Sequence, residues 1–332
     1  MPFITLFFST LLLGTALSLS GSHWVFVWIG LELNLMSFIP LMTSSPKFHA
    51  SEAAMTYFLA QALGSGLILL GSFALLSNPH IMIPPYLSSI ILLMGLLVKL
   101  GLPPCHFWFP SVMSMISWPM CIILSTWQKL TPMLILFYTT LPNMSMISIS
   151  IIILSSLISG LGGLNQTQLR PLLAYSSIGH MSWMLAASIS SYSSSILYLI
   201  IYMLITLSLM SLFSSSSSYS NLTSLNMSST STMNTTNLFI LVLSLGGLPP
   251  FLGFFPKWMV METISPSFSA IILITLLGSV MNLYYYMNLI FINILPKKKI
   301  PLIIPTSHKV SVIMPLISTL TLGLGPMILI LV

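Results

Sequence analysis

Two stretches of this 332-residue sequence repeat each other: GLPPCHFWFP at residues 101–110 and GLPPFLGFFP at residues 247–256. Each lies inside an otherwise continuous apolar segment. A proline within a helix removes a backbone donor and clashes with the preceding turn, so a pair of prolines interrupts the helix. In a membrane the freed carbonyls must be satisfied by protein or water, so we expect these broken helices to face the interior. The prolines concerned are Pro103, Pro104, Pro249 and Pro250.

The composition around these stretches is that of a membrane protein. Hydrophobic residues make up 56% of the chain and charged residues 4%, and the sequence contains no Asp. A soluble domain averages about 25% charged residues. The apolar runs are continuous, whereas a transmembrane barrel would show short alternating segments. The sequence therefore predicts an all-α integral membrane protein with a single transmembrane domain over residues 1–332.

Pro, Ser, Asn and the few charges divide the apolar sequence into about eleven spans, given that a spanning helix needs about 20 apolar residues. These spans lie near residues 3–20, 23–42, 53–76, 86–109, 117–140, 145–164, 170–190, 193–213, 238–264, 268–294 and 311–331.

The basic residues in the loops, or at the edges of the loops, predict the orientation. They follow the second, sixth and tenth helices, so they share one side of the membrane. By the positive-inside rule this side, and the N-terminus with it, is cytoplasmic or matrix-like, and an eleventh helix puts the C-terminus opposite. The residues are Lys47, Arg170, Lys297, Lys298, Lys299 and Lys309.

The two broken helices are the fourth and ninth of this count, and an odd offset makes them run in opposite directions. This pattern is typical of inverted-topology repeats with an ion pathway near the midplane. We predict a first repeat near residues 3–140, a second near 145–294, and a C-terminal helix at 311–331. Coincidental proline kinks are the alternative interpretation.

Four residues with charged side chains lie within predicted spans and away from the loops, where a charge costs at least about 2.5 to 3.5 kcal/mol, so each is a functional candidate. Burial favours a neutral lysine and a nearby carboxylate favours a charged one, so a Glu-Lys arrangement can act as a proton switch. A structural ion pair, or a lysine that reaches the interface, is the alternative. The four are Glu32, Lys99, Lys129 and Lys257.

Two histidines add relay candidates, because imidazole has an unperturbed pKa of about 6.5. His180 lies in the middle of the seventh span and His106 lies in the first broken segment, where a role is a weaker candidate. Cys105 and Cys121 form no metal-ligating or disulfide pattern. The basic residues are scattered, which argues against nucleic acid as a partner. We therefore predict no metal or redox cofactor bound by this chain.

At this point the motifs define a resemblance. They are WIGLELNLMSFIPL, SEAAMTYFLAQA, KLGLPPCHFWFP, TWQKLTP, GLNQTQLRPLLAYSSIGHMSWM and LGGLPPFLGFFPKW. In this order, and over nearly the whole chain, they resemble the NADH dehydrogenase subunit 2 family, the antiporter-like subunits of respiratory complex I. The resemblance implies an antiporter-like fold and a proton-translocating module in the membrane arm of this NADH:ubiquinone reductase.

The resemblance also implies roles for individual residues. Glu32 and Lys99 match the family's glutamate-lysine pair, Lys129 its linking lysine and Lys257 its terminal lysine. His180 matches a histidine of the hydrated central axis. Thr56 stands where relatives commonly carry a lysine, so that lysine's role does not carry over.

The same resemblance implies a setting for the chain. It is the mitochondrial inner membrane, with the N-terminus on the matrix side and the C-terminus on the intermembrane-space side. The implied partners are the antiporter-like subunits 4 and 5, accessory subunits and membrane lipids, with cardiolipin as a candidate bound phospholipid. NADH, FMN, iron-sulfur clusters and ubiquinone belong to other subunits. A stand-alone cation/proton exchanger and a purely structural spacer remain as rival hypotheses.

Overall fold

The structure, a computed structural model, describes residues 2–44, 48–76, 84–139, 145–215, 232–264 and 269–294. The elements in these ranges are helices: α1 (Pro2–Ser20), α2 (Trp24–Thr43), α3 (Phe48–Leu76), α4 (Pro85–Leu100), α5 (Trp108–Met115), α6 (Trp118–Ser125), α7 (Trp127–Thr139), α8 (Ser145–Leu164), α9 (Leu169–Ser190), α10 (Tyr192–Ser215), α11 (Thr232–Gly246), α12 (Phe254–Ile264) and α13 (Ser269–Ile294). The chain divides into two compact units, Met1–Ile151 and Ile152–Val332.

An all-helical membrane protein is confirmed. Within the described ranges, seven helices are long and apolar enough to cross a membrane. The helices on the N-terminal side of the two GLPP motifs, α4 and α11, are apolar but shorter. The number of eleven spans stays a prediction, and the predicted span at 311–331 lies outside the described residues.

Both helix interruptions lie where the proline pairs predict them. α4 ends at Leu100 and α5 begins at Trp108, while α11 ends at Gly246 and α12 begins at Phe254. The first residue of each motif has a left-handed backbone, with φ of 69° at Gly101 and 77° at Gly247. Glycine adopts this conformation without steric penalty, which makes it the usual residue just after the end of a helix.

The structure corrects the expectation that the broken segments face the interior throughout. Pro103 is buried, whereas Pro104, Pro249 and Pro250 are exposed on the surface of the chain. The carbonyls that the interruptions free still need hydrogen-bond donors. Those at both helix ends find them within the protein. Satisfying the carbonyls does not require burying the prolines that free them.

Two helix boundaries also differ from the predicted spans. The span predicted at 117–140 is divided at Thr126, between α6 and α7, and Pro132 lies inside α7. The Thr126 hydroxyl donates to the Ile122 carbonyl at 2.6 Å, a local bond that competes with regular helix geometry. α11 begins at Thr232, before the predicted start at 238, because extending an existing helix costs less than nucleating one.

Helices α1 and α2 pack closely through small residues. A Cβ added to Gly30 would lie 2.5 Å from the Ser18 nitrogen and 2.7 Å from the Gly14 carbonyl oxygen. Such contacts leave no space for a methyl group. Since lipid tails are as apolar as the side chains, close backbone approach of this kind holds membrane helices together.

The serine side chains of the helices bond mainly within their own helix. Ser37 donates to the Asn34 carbonyl at 2.9 Å, Ser155 to the Ile152 carbonyl at 3.0 Å, and Ser182 to the Gly179 carbonyl at 2.6 Å. Each bond joins residues three positions apart. The hydroxyl donors are thus satisfied without help from a neighbouring helix.

We expect Gly30→Ala to destabilise the protein by about 1 to 3 kcal/mol, because the added methyl group overpacks the α1–α2 contact. Thermal unfolding of the purified protein in detergent measures this. Gly66→Ala is the matched control, since a Cβ at Gly66 would meet no atom within 4 Å. Equal unfolding temperatures for the two variants would contradict the role of this contact.

Candidate functional site

The first compact unit contains a small polar cavity that brings two of the predicted lysines together. Lys99 of α4 and Lys129 of α7 both line it. The volume in which the centre of a water molecule fits is about 10 Å³, so the cavity has room for about one ordered water. The remaining lining residues are Tyr57, Gln61, Leu100, Trp108, Phe109, Leu124 and Gln128.

Both lysines of the cavity are buried, with 6% of Lys99 and 5% of Lys129 exposed. The Lys129 ammonium lies 4.4 Å from the centre of the Phe109 ring. A desolvated cation–π contact contributes about 2 kcal/mol, which does not by itself offset the cost of a charge in the membrane. The polar lining of the cavity, and the water it has room for, are therefore needed to stabilise a charged lysine here.

A chain of side-chain hydrogen bonds crosses the first unit beside this cavity. The Gln128 amide nitrogen donates to the Asn34 side-chain oxygen at 2.9 Å. The Tyr57 hydroxyl donates to the Gln128 side-chain oxygen at 3.5 Å. These bonds join α2, α3 and α7, and they orient Gln128, which lines the cavity together with the two lysines.

Glu32 lies on α2, two residues before Asn34, and is half-buried. Its carboxylate acts electrostatically on Lys99 and on Tyr57. Among the described residues the direct ion pair within 4.0 Å is His49–Glu52, so Glu32 and Lys99 interact without touching.

Side chains of the first unit donate hydrogen bonds to the carbonyls at the end of α4, where the helix is interrupted. The Trp108 indole donates to the Val98 carbonyl at 3.0 Å, and the Gln61 amide donates to the Lys99 carbonyl at 3.1 Å. His106 is buried in the interruption, with Nδ1 3.3 Å from the Pro104 carbonyl oxygen. This places His106 in the broken segment, outside the lining of the cavity.

The interruption after α11, in the second unit, is completed by a lysine. The Lys257 ammonium donates to the Gly246 carbonyl at 2.9 Å, and Lys257 is 7% exposed. Gly247 makes room for it, because a Cβ at Gly247 would lie 2.8 Å from the Lys257 nitrogen. The C-terminal end of a helix carries partial negative charge, which favours a cation there.

His180 is central to a second polar cluster. It lies in the middle of α9, is 7% exposed, and has Nδ1 3.1 Å from the Tyr198 hydroxyl of α10. The Tyr202 ring lies 5.2 Å from the imidazole, centre to centre. The cluster thus joins α9 and α10 of the second unit.

Sequence reasoning found the lysines and His180 but missed their polar neighbours. Asn34, Gln61 and Gln128 lie in mid-span, where an amide in an apolar run is itself a signal of a buried network. The tyrosines Tyr57 and Tyr198 carry no such signal, because tyrosine is also common at membrane interfaces. Among the described residues, no three His, Cys, Asp or Glu side chains form a group that could hold a metal ion.

Comparison with known proteins defines the class to which this fold belongs. The family model described as NADH:quinone oxidoreductase/Mrp antiporter, TM, matches residues 21–282. The fold is similar to a chain of respiratory complex I from Thermus thermophilus with bound Aureothin, with a TM-score of 0.84 and 25% identity over 97% of this chain and 78% of that one. It is also similar to a chain of an archaeal membrane-bound sulfane sulfur reductase, with a TM-score of 0.85 and 18% identity over 98% of this chain and 73% of that one. The class is that of antiporter-like membrane subunits.

Curated relatives narrow the class to a family. The NADH-ubiquinone oxidoreductase chain 2 of Lumbricus terrestris is 40% identical over 337 aligned positions, covering 98% of both chains. That of Equus asinus is 39% identical over 297 positions, covering 87% of this chain and 85% of the relative. The chain belongs to the NADH-ubiquinone oxidoreductase chain 2 family.

We expect Gln128→Leu to destabilise the first unit by about 1 to 3 kcal/mol, because it leaves the buried Asn34 oxygen without its donor. Thermal inactivation of the purified assembly that contains this chain measures the effect. Gln168→Leu is the matched control, since Gln168 is exposed and its side chain makes no capping bond to α9. A loss of stability in the control equal to that in Gln128→Leu would show that the hydrogen-bond chain is dispensable.

Proposed function

We propose that this chain is a proton-translocating membrane-arm subunit of respiratory complex I, the H⁺-translocating NADH:ubiquinone oxidoreductase. Family membership supports the assignment to the complex. The observation that carries the translocation role is the cavity shared by Lys99 and Lys129. Two buried lysines on one polar cavity with room for a water can pass a proton between them.

In this proposal Glu32 controls the charge of Lys99. A nearby carboxylate favours the charged lysine, and burial favours the neutral one. When Glu32 is neutralised or moves away, Lys99 releases its proton into the cavity, and Lys129 accepts it there. Gln128 and the room for a water in the cavity that both lysines line support this route, because an amide and a water can each donate and accept hydrogen bonds.

The second unit supplies the later steps of the proposed route. His180 receives the proton, because imidazole exchanges protons near neutral pH. Lys257 is the terminal group, held at the end of α11 by the Gly246 carbonyl. His106 is a secondary candidate, since its contact with the Pro104 carbonyl ties it to the first interruption.

The proposed architecture is a pair of inverted repeats, near residues 3–140 and 145–294, followed by a C-terminal helix at 311–331. The left-handed glycine at the start of both GLPP motifs supports the repeat, because the two copies end their helices in the same way. The positive-inside pattern supports a matrix-side N-terminus and an intermembrane-space C-terminus. The animal relatives support the mitochondrial inner membrane as the location.

In this setting the partners are the antiporter-like subunits 4 and 5, accessory subunits and lipids such as cardiolipin. NADH, FMN, the iron-sulfur clusters and ubiquinone act in other subunits. The present chain then contributes proton movement alone, driven by conformational change that arrives from its neighbours.

We expect Glu32→Gln and Lys99→Met each to lower the coupled turnover of the assembled complex by about a hundredfold, the lower end of the range for losing a proton-transfer group. Proton pumping per NADH oxidised, measured in proteoliposomes that contain the whole complex, reports this. Glu52→Gln is the matched control, because Glu52 is exposed and pairs with His49 at the surface. Normal proton pumping in a correctly assembled complex with the Lys99→Met substitution would contradict the proposal.

Two further measurements separate the rival functions. If the charges only hold helices in register, replacing Glu32 and Lys99 together by apolar residues leaves pumping intact, since a paired apolar replacement is often neutral or stabilising. If the chain is an independent exchanger, proteoliposomes that contain it alone show gradient-driven sodium/proton exchange. Our proposal expects neither result.

A further inference from the structure

The hydrogen bond between His180 and Tyr198 defines the environment of one nitrogen of the imidazole. Nδ1 and the Tyr198 hydroxyl oxygen are 3.1 Å apart. Tyr198 is only 2% exposed, so bulk water does not replace this contact. The two residues lie on adjacent helices, α9 and α10, which pack against each other. The ring is thus held in one orientation by a buried partner.

Such a partner matters because the two ring nitrogens are not equivalent. The nitrogen that keeps its proton in the neutral ring is set by the hydrogen bond it makes, and the other nitrogen then exchanges protons. A tyrosine hydroxyl oxygen can accept a hydrogen bond from Nδ1–H in both the neutral and the charged imidazole. The contact then persists while His180 changes its charge.

We propose that Tyr198 is a positioning residue for proton transfer, which keeps the proton on Nδ1 of His180 and assigns the exchange of the transported proton to Nε2. The inference rests on the proposed function, since it assumes that His180 is on the proton route. On uptake an N–H bond forms at Nε2, and on release the same bond breaks. The Nδ1–H donor bond to the Tyr198 oxygen is retained throughout.

Tyr198 and its neighbour Tyr202 act on the imidazole in different ways. Tyr202 presents its ring to His180 at 5.2 Å between centres, with the two planes inclined by 41°. A ring contact of this kind packs the imidazole but does not distinguish its nitrogens. The Tyr198 ring is farther away, at 6.1 Å, and reaches His180 through its hydroxyl. The hydroxyl of Tyr198 therefore distinguishes the two nitrogens of the imidazole, and the ring of Tyr202 packs against the imidazole.

Other titratable side chains on the helices around α9 bear on the pH dependence. Helices α10, α12 and α13 all pack against α9. Their buried titratable residues are Tyr198 and Tyr202 on α10, Lys257 on α12, and Tyr285 and Tyr286 on α13. Tyr198 contacts the imidazole through its hydroxyl, and Tyr202 contacts it through its ring.

The test is a double-mutant cycle in the assembled complex, with Tyr198→Phe, His180→Gln and the double variant. Proton pumping per NADH and its pH profile are measured in proteoliposomes and normalised to assembled complex in native gels, so a lower yield does not enter the result. Tyr175→Phe is the matched control, since Tyr175 lies on the same helix as His180 and its ring packs against Gly162.

We expect Tyr198→Phe to lower pumping about tenfold, the scale on which orienting hydrogen bonds to a histidine act in other sites, and to change the pH profile. Tyr198→Phe should have no further effect in the His180→Gln background, because Tyr198 acts through that ring. Additive losses, or an unchanged pH profile, would overturn the inference. Loss in His180→Gln with normal pumping in Tyr198→Phe overturns this inference alone, whereas normal pumping in His180→Gln overturns the role of His180 in the proposed function.

Discussion

A buried cation needs polar partners close to it, and in the second unit the end of a broken helix provides one. Lys99 lies in the last turn of α4, and Lys257 binds the last residue of α11, Gly246. Lys99 precedes the left-handed Gly101 of its motif, whereas Lys257 follows the motif that begins with Gly247. The shared constraint is the negative end of a helix inside the membrane, since it favours a positive charge where lipid would oppose it.

The rest of each unit is organised around this requirement. In the first unit the carbonyls near the helix end are divided between the Trp108 indole and the Gln61 amide, so the Lys99 ammonium does not have to cap them and can face the cavity. In the second unit Lys257 itself provides the cap. Lys99 thus lines a cavity, whereas Lys257 is tied to a helix end.

Whether the sequence predicts a feature of this arrangement depends on how far apart in the sequence the interacting residues are. The interruptions after Leu100 and Gly246 could be predicted, because proline and glycine act on their own backbone. The partners of the freed groups could not, because Gln61 is 38 residues from Lys99 and Asn34 is 94 residues from Gln128. The same applies to the Tyr198 hydroxyl, since its partner is decided by how α9 meets α10. The division of the span at Thr126 was not predicted for another reason. The Thr126 hydroxyl bonds to its own helix, and such a bond does not change the hydropathy of the sequence.

The serines that bond within their own helices have a consequence for how the protein is made. A helix whose hydroxyls are already satisfied can enter the bilayer as a single segment, before any neighbour is present. The amides of Gln61 and Gln128 find their partners on other helices, so their sites form only when those helices meet. Insertion and the completion of the polar sites are thus separate stages of biogenesis, and a chain can be fully embedded in the membrane while its polar interior is still unassembled.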